Sequence, residues 1–162
     1  MRDPKTGKRY VMKHGASPEH IRSEADADNL YRAVGENVPS SQLYDSDEPV
    51  KLSEYHDDFT PFSNLSGKAR SDAIEKARKG FATDALAANH DVAGIDFDNL
   101  QIDKDGKVWR IDNGGSFGFR AQGSKDTGWN EHPTELWSMQ DADINPRSAE
   151  VFSDINHDRK GS

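Results

Sequence analysis

Residues 97–112 read Phe-Asp-Asn-Leu-Gln-Ile-Asp-Lys-Asp-Gly-Lys-Val-Trp-Arg-Ile-Asp. β-Forming residues flank Asp103-Lys104-Asp105-Gly106, a strong turn signal, so the segment is expected to form a β-hairpin. No other stretch constrains the chain as much. Antiparallel strands set residues near 98 beside residues near 112, so Asn99 and Asp112 are expected together at the open end, away from the turn. The turn reading also accounts for Asp103 and Asp105. These begin like a calcium loop, but the EF-hand ligand order fails after them. Asp154-Ile155-Asn156-His157-Asp158 fails in the same way, with Arg159 standing where glycine is required.

The stretches before the hairpin have their own periods. Residues 8–14 read as a strand after a turn at Asp3-Pro4-Lys5-Thr6-Gly7. Residues 18–34 read as a helix with Ser17 as N-cap, Pro18 in the first position and Gly35 past the end. Residues 42–55 read as a strand pair around the acidic turn Asp45–Pro49, and 56–65 as a loop. Residues 67–88 are expected to form one helix, because Ile74, Ala77, Phe81, Ala85 and Ala88 recur at helical spacing. Its stripe is rich in alanine, so a neighbour can approach closely. It runs into Asn89-His90-Asp91. Beyond the hairpin, Asn113-Gly114-Gly115-Ser116-Phe117-Gly118 reads as a flexible loop. Short helices are expected near 133–140 and 146–153, the second capped by Asn145 with Pro146 in its first turn. Trp109, Trp129 and Trp137 are read as packing residues.

Composition narrows the classes. Apolar side chains make up 33 % of the 162 residues. Even with 13 glycines added, the total stays below the ~45–50 % of an average globular chain, so the core must be thin. The length suits one structural domain. No run approaches the ~18 apolar residues of a membrane span, and the charged N-terminus lacks the apolar region of a signal peptide. The chain has no cysteine, which excludes disulfides, thiol catalysis and thiolate zinc sites and fits a reducing, cytoplasmic setting. With 29 acidic against 21 basic side chains, the balance argues against binding along a nucleic-acid backbone. It leaves room for one nucleotide bound through a divalent cation.

The chemistry converges at the open end of the hairpin. The helix before it delivers Asp91 to the neighbourhood of Asn99 and Asp112. One amide oxygen and two carboxylates at an open cleft suit Mg²⁺, which takes one or two carboxylates together with substrate phosphates. His90 is read as a structural residue holding this loop.

In this order the elements resemble the catalytic core of the protein-kinase-like superfamily. Val11-Met12-Lys13 resembles the strand with the phosphate-binding lysine, and Glu24 its partner on the next helix. Val50 to Tyr55 resembles the strand and hinge that hold adenine. Asn89-His90-Asp91 through Asp98-Asn99 resembles the catalytic loop, and Ile111-Asp112-Asn113-Gly114 the metal-binding segment. The Asn-His-Asp-Val and Arg-Ile-Asp-Asn-Gly-Gly…Phe-Arg-Ala-Gln-Gly strings are similar to small kinase-like domains of bacterial, phage and toxin or effector proteins. They are distantly similar to HipA-like and phosphoinositide-kinase-like cores. The resemblance spans residues 8–123.

The resemblance implies an α+β, two-lobed kinase-like fold in reduced form. Residues 1–56 would be an N-lobe with a small antiparallel sheet, and 57–162 a helical C-lobe carrying the catalytic hairpin. It implies an ATP- and Mg²⁺- (or Mn²⁺-) dependent phosphotransferase acting on a protein or small-molecule hydroxyl, with no nucleic-acid or membrane partner. Its setting would be the cytosol of a bacterium, or of a host for an effector. Lys13, held by Glu24, would pair with the inner phosphates. Glu54 and Tyr55 would face the base. Asn99 and Asp112 would hold the metal, Asp91 would orient or deprotonate the acceptor, and Gly114 and Gly115 would let the backbone turn sharply beside the metal.

The chain departs from the family in several places. Asn99 follows Asp91 by eight residues rather than five, which leaves Asp96 and Asp98 as rivals for the base role. Asn113 replaces the usual phenylalanine, no Ala-Pro-Glu follows, and no glycine-rich loop precedes Lys13. The phosphate-covering hairpin would lie upstream of Met1, so either a minimal kinase or a fragment is expected. Two alternatives stay open: a catalytically inactive nucleotide-binding or protein-interaction module of a larger protein, and an AMP transferase.

Overall fold

Ser17 does begin a helix. Its Oγ accepts the His20 N–H at 3.1 Å, Pro18 occupies the first turn, and Gly35 leaves the helix with a positive φ of 87°. In the computed structural model, which describes residues 1–120, 123–125, 134–153 and 155, the chain starts with β1 (Tyr10–Lys13), α1 (Pro18–Ala33), β2 (Ser41–Tyr44) and β3 (Val50–Glu54). The three strands form an antiparallel sheet in the order β1-β3-β2, with Lys13 opposite Lys51 and Lys51 opposite Leu43. α1 packs on this sheet with a mixed face. Ile21, Ala25, Ala27 and Tyr31 are buried, and so are His20, Glu24 and Asp28.

The second half contains β4 (Thr60–Pro61), a 3₁₀ turn (Phe62–Asn64), α2 (Gly67–Arg78), α3 (Phe81–Leu86), β5 (Leu100–Ile102), β6 (Val108–Arg110), α4 (Glu135–Ser138) and α5 (Pro146–Phe152). Strands β4, β5 and β6 make a second antiparallel sheet. The fold is thus α+β with two small antiparallel sheets. Its larger apolar core joins Phe62, Ala73, Ala77, Phe81, Ala85, Leu100, Val151 and Phe152. The alanines let α5 come close, and the Phe81 and Phe152 rings sit 4.8 Å apart. Among the described residues no helix is long and apolar enough to cross a membrane.

The hairpin is β5–β6, and Asp103 closes its turn by accepting from the N–H groups of Asp105 and Lys107, each at 2.9 Å, and from Trp109 Nε1 at 2.9 Å. α5 starts at Asn145, whose side chain accepts the Ser148 N–H at 3.1 Å. Two expectations are corrected. Residues 67–88 are two helices, broken at Lys79-Gly80. A Cβ on Gly80 would run into the Arg110 guanidinium and lie 2.8 Å from Glu36 Oε1, so the helix yields there to a buried charge. Residues 56–65 are also more than a loop, since β4 adds to β5 as an edge strand, where proline is tolerated. Phe62, fully buried, pins the segment; that burial is worth about 1.5–3 kcal/mol, more than a single backbone hydrogen bond at about 0.5–1.5 kcal/mol. Trp129, most of the 154–158 string, and Ala121 and Gln122 of the kinase-like string lie outside the described residues.

Arg110, at 1 % exposure, is the largest fully buried side chain among the described residues. Its Nε and Nη2 meet Asp84 at 2.6 Å each, Nη1 meets Glu36 at 2.9 Å, and Nη2 also meets the Ala77 carbonyl at 3.2 Å. Removing one partner of such a pair strands a charge away from water. Asp84→Ala should lower the unfolding free energy by about 3–5 kcal/mol. A urea midpoint equal to the parent's would mean that Glu36 and the carbonyl hold Arg110 unaided.

Candidate functional site

Lys13 ends β1 and reaches across the mouth of the hairpin. Its Nζ lies 2.7 Å from Glu24 Oε2 on α1, and 2.9 and 3.0 Å from the two carboxylate oxygens of Asp112. Asp112 is there because β6 pairs with β5 up to the open end, where the Ile111 N–H donates to the Asn99 carbonyl at 2.9 Å. The structure therefore brings Lys13, Glu24 and Asp112 into direct contact, with Asn99 alongside.

Asp91 reaches the same end from the loop after α3. Asn99 Nδ2 donates to the Asp91 carbonyl at 2.8 Å and to its carboxylate at 3.2 Å. Both contacts use the Asn99 amino group, leaving its carbonyl oxygen as the atom able to meet a cation. Asp96 and Asp98 are exposed beside this loop. The loop is backbone-strained, with Ala88 at φ 50° and Phe97 at φ 54°, a region costly for residues with a Cβ and common at functional sites. The His90 carbonyl accepts from Asn145 Nδ2 at 2.8 Å, and the His90 ring Nε2 lies 3.6 Å from Glu135 Oε1.

The electrostatics follow from these contacts. Burial raises the Asp91 carboxyl above its ordinary value, and the Asp112 charge raises it further against the lowering hydrogen bond from Asn99. Burial pushes Asp112 upward as well, but the Lys13 ammonium outweighs it and holds the carboxyl below its ordinary range. For Lys13, burial alone would lower the ammonium; the carboxylates of Asp112 and Glu24 outweigh that and raise it.

Lys13 and Asp112 line a cleft of about 240 Å³ together with Val11, Glu54, Tyr55 and Phe59. Glu54 and Tyr55 thus face the cleft, although their backbone N–H groups are engaged, Glu54 to the Ser40 carbonyl and Tyr55 to the Arg9 carbonyl, both at 2.8 Å. Their side chains are engaged too, the Glu54 carboxylate by Lys8 at 2.9 Å and the Tyr55 ring by the Arg9 guanidinium 4.4 Å from its centroid. Phe59 stacks on His56 with ring centroids 4.4 Å apart. A larger cavity, about 490 Å³, opens on the opposite face of the first sheet against Tyr10, Tyr44 and Leu52, away from this cluster. The backbone does turn at Gly114-Gly115, where the Ser116 N–H donates to the Asn113 carbonyl at 3.2 Å, but Gly114 makes this turn without a positive φ. Gly114 is needed for space, since a Cβ there would lie 3.0 Å from Glu24 Oε2 and 3.1 Å from Asp112 Oδ1.

Sequence reasoning missed Lys51 and Asp28. Lys51, with a side chain 3 % exposed, donates to Glu24 at 2.5 Å and to Asp28 at 2.7 Å. The legible signal was the helical spacing of Glu24 and Asp28, which puts both acids on one face of α1. Nothing in the strand pattern marked Lys51 as an inward residue.

The donor set fits a hard divalent cation that shares its shell with a ligand. Asp112 supplies a carboxylate and Asn99 an amide oxygen, and among the described residues no group of three or more His, Asp and Glu side chains is placed to hold a metal alone. Mg²⁺ characteristically completes such a shell with water and phosphate oxygens. No protein-family model and no curated protein matches this chain.

The shifts of Lys13 and Asp112 fix the pH behaviour of the pair. Its contribution to stability is present above the ordinary carboxylate range and below the ordinary lysine value, and is lost as pH falls through the lowered Asp112 value. Asp112→Asn should therefore lose less stability than the parent on acidification, read as urea midpoints at about pH 7 and about pH 3. Equal losses in the two proteins would remove the pair from the acid response.

Proposed function

We propose that the chain is an ATP- and Mg²⁺-dependent phosphotransferase of the kinase-like type, acting on a hydroxyl of a protein or small molecule. Residues 1–56 and 57–162 would form its two reduced lobes, with the cleft between them. One observation carries the reading: a single strand lysine, Lys13, bridges Glu24 on α1 and Asp112 just past the hairpin. A bound nucleotide would divide that bridge, its phosphates taking Lys13 and its cation taking Asp112.

The roles follow from the chemistry of each group. Glu24 keeps Lys13 in place when Asp112 lets go. Lys13 binds phosphate oxygens, and Asp112 with the Asn99 carbonyl oxygen holds the cation. Bound Mg²⁺ would supply neutralisation of the charge shared by the outer phosphates. Val11, Tyr55 and Phe59 give the base an apolar and aromatic wall. Asp91 orients the acceptor hydroxyl and takes its proton. Its raised pKa brings it closer to neutrality than an ordinary carboxylate, which strengthens a general base. Phosphoryl transfer relies on such positioning and charge compensation more than on covalent help.

Incubation with γ-labelled ATP and Mg²⁺ should label the protein or an acceptor in a lysate. Asp91→Ala should reduce transfer about 10²–10⁴-fold while nucleotide still binds. Asp112→Ala should abolish metal-dependent nucleotide binding. Loss of transfer in Asp98→Ala but not in Asp91→Ala would move the base to Asp98. Label arriving from the α-phosphate would establish AMP transfer instead, and Mg·ATP stabilisation without transfer would establish a nucleotide-binding module.

A further inference from the structure

Asp28 lies one helical turn beyond Glu24 on α1 and is 4 % exposed. Its two oxygens do different work. Oδ2 accepts from Lys51 Nζ at 2.7 Å and from Ser41 Oγ at 3.1 Å, while Oδ1 accepts from Asn113 Nδ2 at 2.9 Å. A carboxylate can only accept, so Asn113 must turn its amino group to Asp28. Its carbonyl oxygen then faces away and accepts from Asn89 Nδ2 at 3.1 Å. Asn113, fully buried, is thereby clasped between α1 and the first residue of the Asn89-His90-Asp91 loop.

The clasp sits one residue from Asp112 and two from Asp91. Gly114, the next residue, is pinned as well: its carbonyl accepts from His20 Nε2 at 2.8 Å and its N–H donates to Asp112 Oδ1 at 3.0 Å. Lys51 bonds to Glu24 and Asp28 alike, and α1 presents the other oxygen of the first to Lys13 and of the second to Asn113.

We propose that Asp28 and Asn113 are positioning residues of the cleft: their buried hydrogen bond holds Asp112 against Lys13 and ties the Asp91 loop to the same frame. The consequence for ligand binding rests on the phosphotransferase reading; the consequence for Lys13 does not.

The test compares the parent, Asn113→Leu and the exchange Asp28→Asn/Asn113→Asp. The leucine is close in shape to asparagine and removes both bonds. The exchange rebuilds them with the donor reversed. The amide introduced at position 28 can donate to the carboxylate introduced at position 113, and that carboxylate can still accept from Asn89. One readout is the acetylation rate of Lys13 in the folded protein, followed by mass spectrometry. The other is affinity for ADP with Mn²⁺, measured by calorimetry. In Asn113→Leu, Lys13 should react several-fold faster as it loses Asp112, and affinity should fall about 10–100-fold, the usual cost of losing a group that orients a metal ligand. The exchange should return Lys13 acetylation to near the parent rate. Parent-like acetylation and affinity in folded Asn113→Leu would overturn the proposal and leave the clasp with stability alone. If Asn113→Leu does not fold, the single change Asp28→Asn, which sets two amides against each other, takes its place: faster acetylation than in the exchange supports the proposal, and equal, parent-like rates overturn it. If Lys13 responds as expected but the parent binds no Mn·ADP, the positioning stands and the phosphotransferase reading fails.

Discussion

Burying a guanidinium group is tolerable only when every side of it is met, and Arg110 imposes that condition on this fold. A charge out of water costs several kcal/mol unless pairing is nearly complete. Asp84 takes two of its nitrogens, Glu36 a third, and the Ala77 carbonyl closes the remaining side at the end of α2. The Tyr31 ring lies 5.6 Å away. One side chain on β6 thus sets the spacing of α1, α2 and α3 around the hairpin. Gly80 and the break between α2 and α3 follow from the room this guanidinium takes. So does the entry of the Asp91 loop, which leaves α3 shortly after Asp84.

From Arg110 a continuous polar path runs to the cleft. Asp84 accepts from the Tyr31 hydroxyl at 2.8 Å, and Tyr31 accepts from Asn89, which also reaches Asn113. Asn113 meets Asp28, Asp28 meets Lys51, Lys51 meets Glu24, and Glu24 meets Lys13. In a low-dielectric interior such a network is costly when incomplete and strongly specifying when complete. This explains how a chain with only 33 % apolar residues holds a defined interior: part of the packing that hydrophobic residues usually supply is replaced here by paired charges and amides. It also explains why α1 buries His20, Glu24 and Asp28 on the face that would otherwise be wholly apolar.

Elements governed by near neighbours were legible. The cap at Ser17, the turn around Asp103 and the cap at Asn145 each depend on a few adjacent residues, and α1, the β5–β6 hairpin and α5 stand where those signals put them. Of the candidate site, the meeting of Asn99 with the Ile111-Asp112 end was readable because antiparallel pairing dictates it. The contact of Lys13 with Glu24 was anticipated from the order of elements rather than from any local rule. What escaped were features set by distant partners. Gly80 sits in a good helical stripe, and only Arg110, thirty residues on, interrupts it. Thr60 and Pro61 have no strand signal of their own and pair because Phe62 is buried beside β5.

The sequence by itself determined the local elements, the hairpin geometry at Asn99 and Asp112, the alanine stripe and the thinness of the apolar core. Backbone propensity, capping and strand pairing act over short range, and composition is independent of fold. Only the tertiary structure decided that Lys51 points inward between two acids, that Asp28 clasps Asn113, and that Lys13 closes on Asp112. A lysine on a short strand has no local reason to be buried. It becomes buried when two carboxylates one helical turn apart arrive to receive it, and that requires α1 and the sheet to be already packed together.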